Sequence, residues 1–351
     1  MEVFKLCDDM LKTEVLSRAS LKTLDAIRCT GKEFEKLTYE PYLLHLNKQR
    51  NNMVSGFIME DINRYYEYIH EFTPSRGSNT IDLTFLPRKA KVLASCEQGL
   101  IVFESPHPTT YGLVCYHICK PATKQVVAIP NPKTKYLTVN MAIVALGSNP
   151  LHYKIVRLSG SYSSSSVLKR SGEFYTAYQC EVFDSRTWAW KKLDILMVPF
   201  RVLLTNSQPI TTRGSIYMLL TNTNILKFDA YLEKWSTFLP PIPTLDYGDY
   251  TRRELVKHEG RLGLACKPEG GSWEIWVLGS DELWEKIYVI NKEDDVEYAR
   301  TMSFDDPNSS LMIYSNVILF YKGDSVGNAV STRSRMFVYR SDFEVTNLRG
   351  R

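Results

Sequence analysis

The sequence lacks a strong excess of charge of either sign, and this absence argues against one class of function. Its 351 residues contain 43 Lys and Arg against 39 Asp and Glu, which gives a formal net charge of +4. Proteins dedicated to nucleic acids normally gather a clear basic excess on one face or in a tail. We therefore expect no nucleic-acid partner.

Long apolar runs and a disulfide pattern are missing as well. No stretch approaches the roughly 18 consecutive apolar residues of a membrane-spanning helix, and no basic segment followed by an apolar run begins the chain, as in a secretory signal. The seven cysteines are odd in number and scattered, unlike a disulfide framework. The sequence predicts a protein with free thiols in the nucleus or the cytoplasm, with no membrane partner.

Catalytic motifs are also absent. The chain has only six histidines, and none is tied by a recognisable turn to a Ser or Cys nucleophile. Neither a Gly-x-Ser-x-Gly elbow nor a phosphate-binding Gly-Lys-Thr loop occurs. We expect no catalytic residues, no cofactor and no enzymatic activity of the chain itself.

One predicted strand carries three side chains of the kinds that bind zinc. Cys115, His117 and Cys119 alternate in sequence, so all three leave the same face of an extended strand. Structural zinc sites usually present paired Cys-x-x-Cys turns rather than one strand, and Cys is also a small residue suited to a crowded interior. The packing interpretation is favoured, and no metal site is predicted.

The first fifty residues have a helical pattern. Asp8 and Asp9 can cap a first helix, Ser20 can cap a second, and Gly31 separates the second from a short third. The residue before Pro41 avoids helical angles, so the chain stops or restarts there. Helices this short are marginal alone. We expect them to pack on one another and to dock on a partner.

After about residue 52 the pattern becomes that of short strands. Runs rich in Val, Ile, Tyr, Phe and Trp alternate with clusters of Gly, Pro, Asn, Asp and Ser. No long helical periodicity appears in this part of the chain. The segment 61–72 fits either a helix or a strand, and the pattern leaves this choice open.

One unit recurs in the strand-rich part. In this unit, an apolar strand ends in an aromatic residue and Asp, and a short turn follows. The next strand carries Trp or Val and ends near Pro. The clearest copy runs from Ile225 to Trp235. Other copies occupy residues 116–130, 181–190, 273–284 and 336–343, at spacings of about 45 to 65 residues, near the kelch period of about 50. The repeat predicts an irregular kelch-like β-propeller with Trp packed between blades; a pair of β-sandwiches is the alternative.

The chain resembles a known family in both of these parts. The start resembles an F-box in residues 6–11, 14–18, 21–24 and 27–29 and at Lys32, Phe34, Leu37 and Pro41. Residues 96–100, 118–125, 225–229 and 274–278 resemble the F-box-associated domain of plant F-box proteins. The resemblance covers nearly the whole chain, with the two modules in the expected order.

The resemblance implies an α+β multidomain fold. A small N-terminal three-helix F-box would occupy residues 1–50. Residues 51–94 would be a connecting segment with the first β-strands. Residues 95–348 would form the F-box-associated domain, an all-β irregular propeller.

The resemblance also implies a function. The chain would be the substrate-recognition adaptor of a Skp–cullin–F-box ubiquitin ligase: the F-box docks on a Skp-type adaptor, and through it on a cullin, while propeller loops capture a protein target of unknown identity. The expected adaptor contacts are Leu6, Leu11, Val15, Leu16, Leu21, Leu24, Ile27, Cys29, Phe34, Leu37 and Pro41. The candidate target-binding residues are Tyr111, Tyr247, Tyr250, Arg252 and Arg253, because Tyr and Arg are good interface anchors.

The chain departs from the family pattern at three places. It has Leu6-Cys7 and Ala19-Ser20 where the family usually has Leu-Pro, and Phe34 where the family usually has Trp. These departures leave an alternative function, a stand-alone β-propeller interaction scaffold whose degenerate F-box is not linked to a ligase. A propeller enzyme or a sugar-binding protein is a third hypothesis, and the missing catalytic constellation and the free thiols argue against it.

Overall fold

The computed structural model describes residues 12–349, apart from residues 29, 39, 52, 75–77, 97, 108, 110–112, 149, 161–165, 206, 241–249, 259, 269–272, 280–281, 291–298, 303–308, 315–316, 323–324 and 327–334. Three helices come first in the described chain: α1 (Leu21–Arg28), α2 (Lys32–Thr38) and α3 (Pro41–Arg50). Residues 12–16 are also helical. None of the described helices is long and apolar enough to cross a membrane.

The expected α+β fold with a three-helix F-box is wrong. The described chain is almost entirely β, with 25 strands against helices of 8, 7 and 10 residues, and no three-helix F-box fold is seen in it. The helical periodicity does produce helices, and among their described side chains Leu16, Leu24 and Leu43 are the buried apolar ones. The 25 strands, not these helices, determine the fold class.

The described strands form six antiparallel sheets, five of them with four strands or more. The three-stranded sheet has the order β2-β1-β25, with β1 (Val54–Ile62), β2 (Tyr68–Pro74) and β25 (Arg335–Ser341). The next sheet has the order β3-β4-β5-β6, with β3 (Lys91–Ser95), β4 (Ile101–Pro106), β5 (Val114–Lys120) and β6 (Gln125–Ile129).

The six-stranded sheet contains β7 (Leu137–Ser148), β8 (Leu151–Gly160), β9 (Ser166–Arg170), β10 (Glu173–Asp184), β11 (Ala189–Lys192) and β12 (Leu196–Pro199). The remaining sheets follow chain order. They are β13 (Ile210–Thr212), β14 (Ser215–Leu219), β15 (Ile225–Asp229), β16 (Lys234–Phe238); β17 (Tyr250–His258), β18 (Arg261–Pro268), β19 (Trp273–Leu278), β20 (Trp284–Ile290); and β21 (Ala299–Met302), β22 (Ser309–Tyr314), β23 (Val317–Lys322), β24 (Ser325–Val326).

These sheets are arranged as the blades of a β-propeller. The strands β25, β3, β7, β13, β17 and β21, one from each sheet, lie next to one another in that order, as expected for blades packed around a central axis. The space between the first four of these strands is lined by small and apolar side chains, including Ala94, Met141, Ala142 and Phe337. The β-propeller prediction is confirmed, and the alternative of two β-sandwiches is wrong.

The first and last strands of the propeller meet in one sheet, where β1 pairs with β25. The side chain of Glu60 is fully buried there. Its carboxylate accepts hydrogen bonds from the backbone N–H of Val92, at 2.6 Å, and from the guanidinium of Arg335, and it lies 3.2 Å from His70 Nε2. One carboxylate thus joins β1, β2, β3 and β25 at the closure of the ring.

The hairpin predicted from the repeat is present in the clearest copy. β15 ends at Asp229, whose Oδ1 accepts hydrogen bonds from the backbone N–H groups of Tyr231 and Leu232, both at 2.9 Å. Phe228 packs against Trp235 of β16, with ring centroids 4.7 Å apart. The carboxylate therefore holds the turn, and the two rings pack together in the hairpin behind it.

The prediction that Trp packs between blades is confirmed at Trp190. Its ring lies 5.5 Å from that of Phe183, and its Nε1 donates a hydrogen bond of 2.6 Å to the carbonyl of Pro130. Pro130 follows β6 of the neighbouring sheet. A single indole thus fills the space between two blades and satisfies its own polar group there.

The segment that fitted either a helix or a strand belongs to two strands, since β1 ends at Ile62 and β2 begins at Tyr68. Asn63 makes the turn between them. Its Oδ1 accepts hydrogen bonds from the backbone N–H groups of Tyr65 and Glu67, at 2.9 and 3.0 Å. The aromatic run between the strands is therefore held in a defined turn by one side chain.

A buried ion pair lies within the six-stranded sheet. Arg157 of β8 pairs in register with Glu181 of β10; their side chains are 2% and 0% exposed, and Nη1 lies 2.7 Å from Oε2. Thr134 donates to the same carboxylate from its backbone N–H (3.0 Å) and its hydroxyl (2.6 Å). Arg157 also donates to the Thr138 hydroxyl, at 2.9 Å, and to the Tyr136 carbonyl. Both charges are fully hydrogen-bonded, as buried charges must be.

Candidate functional site

Most of the predicted adaptor contacts that the structure describes lie inside the helical segment, residues 12–50. Leu16 and Leu24 are 4% and 0% exposed and form a small core with Leu43. Ile27, Phe34 and Leu37 are partly buried against this core. Five of the predicted contacts therefore stabilise the segment itself, and a partner could reach only the partly buried ones.

The other predicted adaptor contacts differ in how far the structure describes them. Val15 is 61% exposed, so its side chain is open to a partner. Leu6, Leu11 and Cys29 lie outside the described residues, and the side chains of Leu21 and Pro41, in α1 and α3, are not described. Tyr42 of α3 was not among the predicted contacts, yet it is 67% exposed. The adaptor contacts stay a prediction. Val15 is the predicted contact that the described residues show as exposed, and Tyr42 is a further exposed side chain of the same segment.

Hydrogen bonds hold the helical segment together where apolar burial is small. Ser20 caps α1, as predicted, because its Oγ accepts a hydrogen bond of 3.2 Å from the backbone N–H of Thr23. The buried Asn47 of α3 donates to the carbonyls of Ser17 and Ala19, at 3.1 and 2.8 Å. These carbonyls follow the helical residues 12–16, so α3 closes the end of that turn. The segment consequently presents its outer side chains in a fixed arrangement.

Three of the five predicted target-binding residues lie in strand β17, and the other two are not among the residues that the structure describes. Tyr111 and Tyr247 lie outside the described residues. Tyr250 and Arg252 lie in β17, where their side chains are not described, and Arg253 is a partly buried residue of the same strand, opposite Cys266. The predicted loop is therefore strand from Tyr250 onward. Target binding at these residues stays a prediction.

The three alternating zinc-type side chains lie on β5, and their environment is one of packing. The imidazole of His117 stacks on Phe103, with ring centroids 4.8 Å apart and an angle of 11° between the rings. Burial lowers the pKa of His117 and raises the pKa of the Cys119 thiol. Within the described residues, no group of three or more His, Cys, Asp or Glu side chains is placed to hold a metal ion.

A surface that the sequence did not reveal lies on the six-stranded sheet. The C-terminal half of β10 pairs with β8 and β11, whereas its N-terminal half pairs with β9 and β12. These last pairings make a small three-stranded extension, residues 166–178 and 196–199, beyond the blade. Because β10 is shared, the extension is rigidly continuous with the propeller core.

The extension carries two exposed aromatic rings, each covered by a cation. Phe174 of β10 is 52% exposed and Phe200, after β12, is 45% exposed; their centroids are 5.9 Å apart. Lys169 Nζ lies 5.5 Å from the centroid of Phe174, and Arg201 Cζ lies 5.3 Å from that of Phe200. We name these four residues the cation–aromatic cluster. The only signals in the sequence were the isolated pairs Glu173-Phe174 and Phe200-Arg201, which the strand register brings together.

Comparisons with known proteins agree with this architecture. A model of the family described as "F-box associated beta propeller domain" matches residues 37–307. An F-box protein of Arabidopsis thaliana is 30% identical over 43% of this chain and 84% of its own length, and a second is 34% identical over 34% and 31%. F-box only protein 6 of the same plant is 26% identical over 58% of this chain and 40% of its own length. The chain thus spans most of the first relative and less than half of the other two.

Solved structures similar to the chain are more distant. The periplasmic gluconolactonase of Pseudomonas aeruginosa is 9% identical, with 82% of this chain and 98% of that chain covered and a TM-score of 0.39. A lectin of Aleuria aurantia, a mutant in complex with α-methyl-L-fucoside, is 10% identical, with 81% and 95% covered and a TM-score of 0.41. Similarity at this level bears on neither the activity nor the ligands of this chain.

Proposed function

The chain belongs to the F-box associated β-propeller family, and on this premise we propose that it is the substrate-recognition subunit of a Skp–cullin–F-box ubiquitin ligase. The observation that carries the proposal is the family match over residues 37–307, together with the helical segment, residues 12–50, which begins before the match and has exposed apolar side chains. In this proposal the helical segment docks on a Skp-type adaptor, which links it to a cullin, and the propeller binds the protein to be ubiquitinated.

The proposed role of the chain is to bring two proteins together. Holding a target beside the ubiquitin-transferring partners converts a bimolecular encounter into an effectively intramolecular one. A rigid propeller suits this task, because surface residues can vary while the sheets keep their positions. The chain itself needs no catalytic residue for this, and its proposed site of action is the nucleus or the cytoplasm.

The helical segment supports the docking step in a specific way. Val15 and Tyr42 expose 61% and 67% of their surface, although Asn47 and the small leucine core hold the segment in order. Exposed apolar side chains on ordered helices are typical of a docking surface for another protein. The division of the chain near residue 50 into a docking part and a target-binding part is part of this proposal.

The test is co-expression of the full chain with a plant Skp-type adaptor, followed by size-exclusion chromatography. We expect a one-to-one complex that is lost in the variant Val15→Asp with Tyr42→Asp. These positions are better than Leu16 and Leu24, because charging a buried leucine would unfold the segment and abolish binding for a trivial reason. Tyr65→Asp is the matched control, since Tyr65 is 81% exposed in the turn between β1 and β2, and it should leave the complex intact.

The opposite outcomes are equally informative. If the folded chain elutes alone, the ligase proposal fails and the stand-alone scaffold takes its place. If the complex forms and survives Val15→Asp with Tyr42→Asp, docking uses another surface of the chain. Circular dichroism spectra and melting temperatures of all variants establish that the propeller is folded in each case.

A further inference from the structure

We propose that the cation–aromatic cluster of Lys169, Phe174, Phe200 and Arg201 binds an acidic peptide segment that carries an apolar side chain. The inference rests on the proposed function, since it assigns this segment to the target protein. It places target recognition on the side of one blade, at the extension formed by β9, β10 and β12, rather than at the loops suggested by the sequence.

Exposure of the two phenylalanines is the first argument. Phe174 and Phe200 leave about half of their surface in solvent, 52% and 45%, and their ring centroids are 5.9 Å apart. Exposed apolar side chains that are clustered rather than scattered mark interaction surfaces. Aromatic rings bring large contact area at little cost in side-chain entropy, which makes them effective anchors. The two rings therefore form an apolar contact surface for one side chain of a partner.

The backbone that presents Phe200 is the second argument. The N–H of Val202 donates to the carbonyl of Pro199 at 3.0 Å, which closes a four-residue turn with Phe200 and Arg201 at its centre. Arg201 has φ +65°, a left-handed conformation that favours glycine at this position of a turn. The turn therefore fixes the direction in which Phe200 and Arg201 leave the end of β12. This chain has an arginine where glycine would fit without strain, and its guanidinium lies over the ring of Phe200.

Charge identifies the partner. Among the described residues, neither Lys169 nor Arg201 forms an ion pair with a carboxylate; each cation faces only a phenylalanine ring. The nearby Glu173 lies opposite Arg170 in the register of β9 and β10, and its carboxylate accepts a hydrogen bond of 2.6 Å from the hydroxyl of Tyr175. Lys169 and Arg201, one beside each ring, thus remain for carboxylates of a partner.

The same observations favour a peptide over a nucleic acid. Single strands bind to aromatic platforms inside an extended basic groove. The extension and the turn that follows it carry three exposed cations, Lys169, Arg170 and Arg201, and Arg170 lies opposite Glu173 in the strand register. The net charge of the whole chain is only +4. A short acidic segment with an apolar residue between carboxylates matches both the number of cations and the spacing of the rings.

The experiment is a selection of random 12-residue peptides, displayed on phage, against the purified full chain. We expect the selected peptides to be enriched in Asp and Glu beside Phe, Leu or Trp. The best peptide, synthesised with a fluorescent label, should bind at least tenfold more weakly to Phe174→Ala with Phe200→Ala. Its binding should also weaken when NaCl is raised from about 50 to about 300 mM, because exposed charges are screened by salt.

Two further variants separate a direct contact from a structural effect. Arg201→Gly keeps the turn and removes the cation, so it should weaken peptide binding severalfold without lowering the melting temperature. Lys169→Glu with Arg201→Glu should abolish binding of the acidic peptide and favour the same peptide with Lys in place of its acidic residues. Tyr65→Ala, which removes an exposed aromatic residue elsewhere, is the matched control and should change nothing.

Three results would overturn the inference: selected peptides without acidic and apolar character, unchanged affinity in Phe174→Ala with Phe200→Ala, or binding of a labelled 12-nucleotide oligo-dT in place of peptides. Adaptor binding is measured on the same protein preparations. If peptides bind and the adaptor does not, the proposed ligase role fails and the cluster remains a peptide site. If the adaptor binds and no acidic peptide is selected, the cluster fails and the ligase role remains.

Discussion

Truncation of Glu181 to alanine should destabilise the propeller more than any surface substitution, and the structure gives the magnitude. The variant leaves the Arg157 guanidinium, which is 2% exposed, without its carboxylate. It also removes both acceptors of Thr134. Breaking a buried ion pair by removing one partner costs about 3–5 kcal/mol. At about 2 °C per kcal/mol for a large domain, the melting temperature should fall by about 6–10 °C.

A double variant tests whether the loss of stability comes from leaving one buried charge without its partner. Arg157→Met with Glu181→Leu removes both charges and replaces them with apolar side chains of similar size. Such replacements are often close to neutral, so this variant should be more stable than Glu181→Ala alone. Lys191→Ala is the control for an exposed pair: Lys191 is 67% exposed and lies 2.6 Å from Glu233, and its loss should cost less than about 1 kcal/mol.

The measurement is thermal unfolding followed by circular dichroism and tryptophan fluorescence at one fixed scan rate. If Glu181→Ala melts within about 1 °C of the wild type, or if the double variant is less stable than the single one, the assignment of Arg157 and Glu181 as an essential buried pair is refuted.

Three further predictions follow from other sites. Gly99→Ala should destabilise the protein by about 1–3 kcal/mol in urea unfolding, because Gly99 has φ +72° and a Cβ there would overlap the side chain of Ser341; unchanged stability would contradict the close approach. Burial lowers the pKa of His117 in the folded protein, so the unfolded chain binds more protons and the free energy of unfolding should fall as the pH drops through about 6.5. The variant His117→Phe should make stability less dependent on pH. A pKa of His117, measured by NMR, that is at or above the ordinary histidine value would refute this prediction. Burial raises the pKa values of Cys180 and Cys266 to about 12, so neither thiol should react with a disulfide reagent at pH 8 until urea unfolds the protein.

The local part of the fold could be predicted from the sequence. The hairpin around Asp229 is formed by residues that are close together in the sequence. An aspartate can hold a turn, and an aromatic pair can pack the two strands, within about a dozen residues. The helices could also be located, since Ser20 is a favourable cap. In both cases the interactions that form the element lie close together in the sequence.

The long-range part could not be predicted. The sequence around Glu60 does not indicate that Val92 and Arg335 donate hydrogen bonds to its carboxylate, because those partners come from strands far away in the sequence. For the same reason, α+β was the wrong class: a helical period reveals helices but not how little apolar surface they bury together.

The candidate sites show the same limit. Period alone could not separate Leu16 and Leu24, which are buried, from Val15, which is exposed, because core and interface residues share the same spacing. The cation–aromatic cluster was missed altogether, since Phe174 and Phe200 are brought together only by the pairing of β10 with β12. Register sets such neighbours, and register depends on the whole sheet.

The pairing of β1 with β25 has a consequence for biosynthesis. Val54 lies opposite Ser341, so the ring cannot close until β25 has left the ribosome. At about 5–20 residues per second, translation of the intervening chain takes on the order of 15–60 s. During that interval the earlier blades form an open arc in which β1 pairs with β2 on one edge and leaves its other edge unpaired; an open strand edge of this kind is a site of aggregation. A nonsense mutation before Arg335 would remove β25 and yield only this open arc, so it should act as a loss of the whole protein even though most blades are encoded before it.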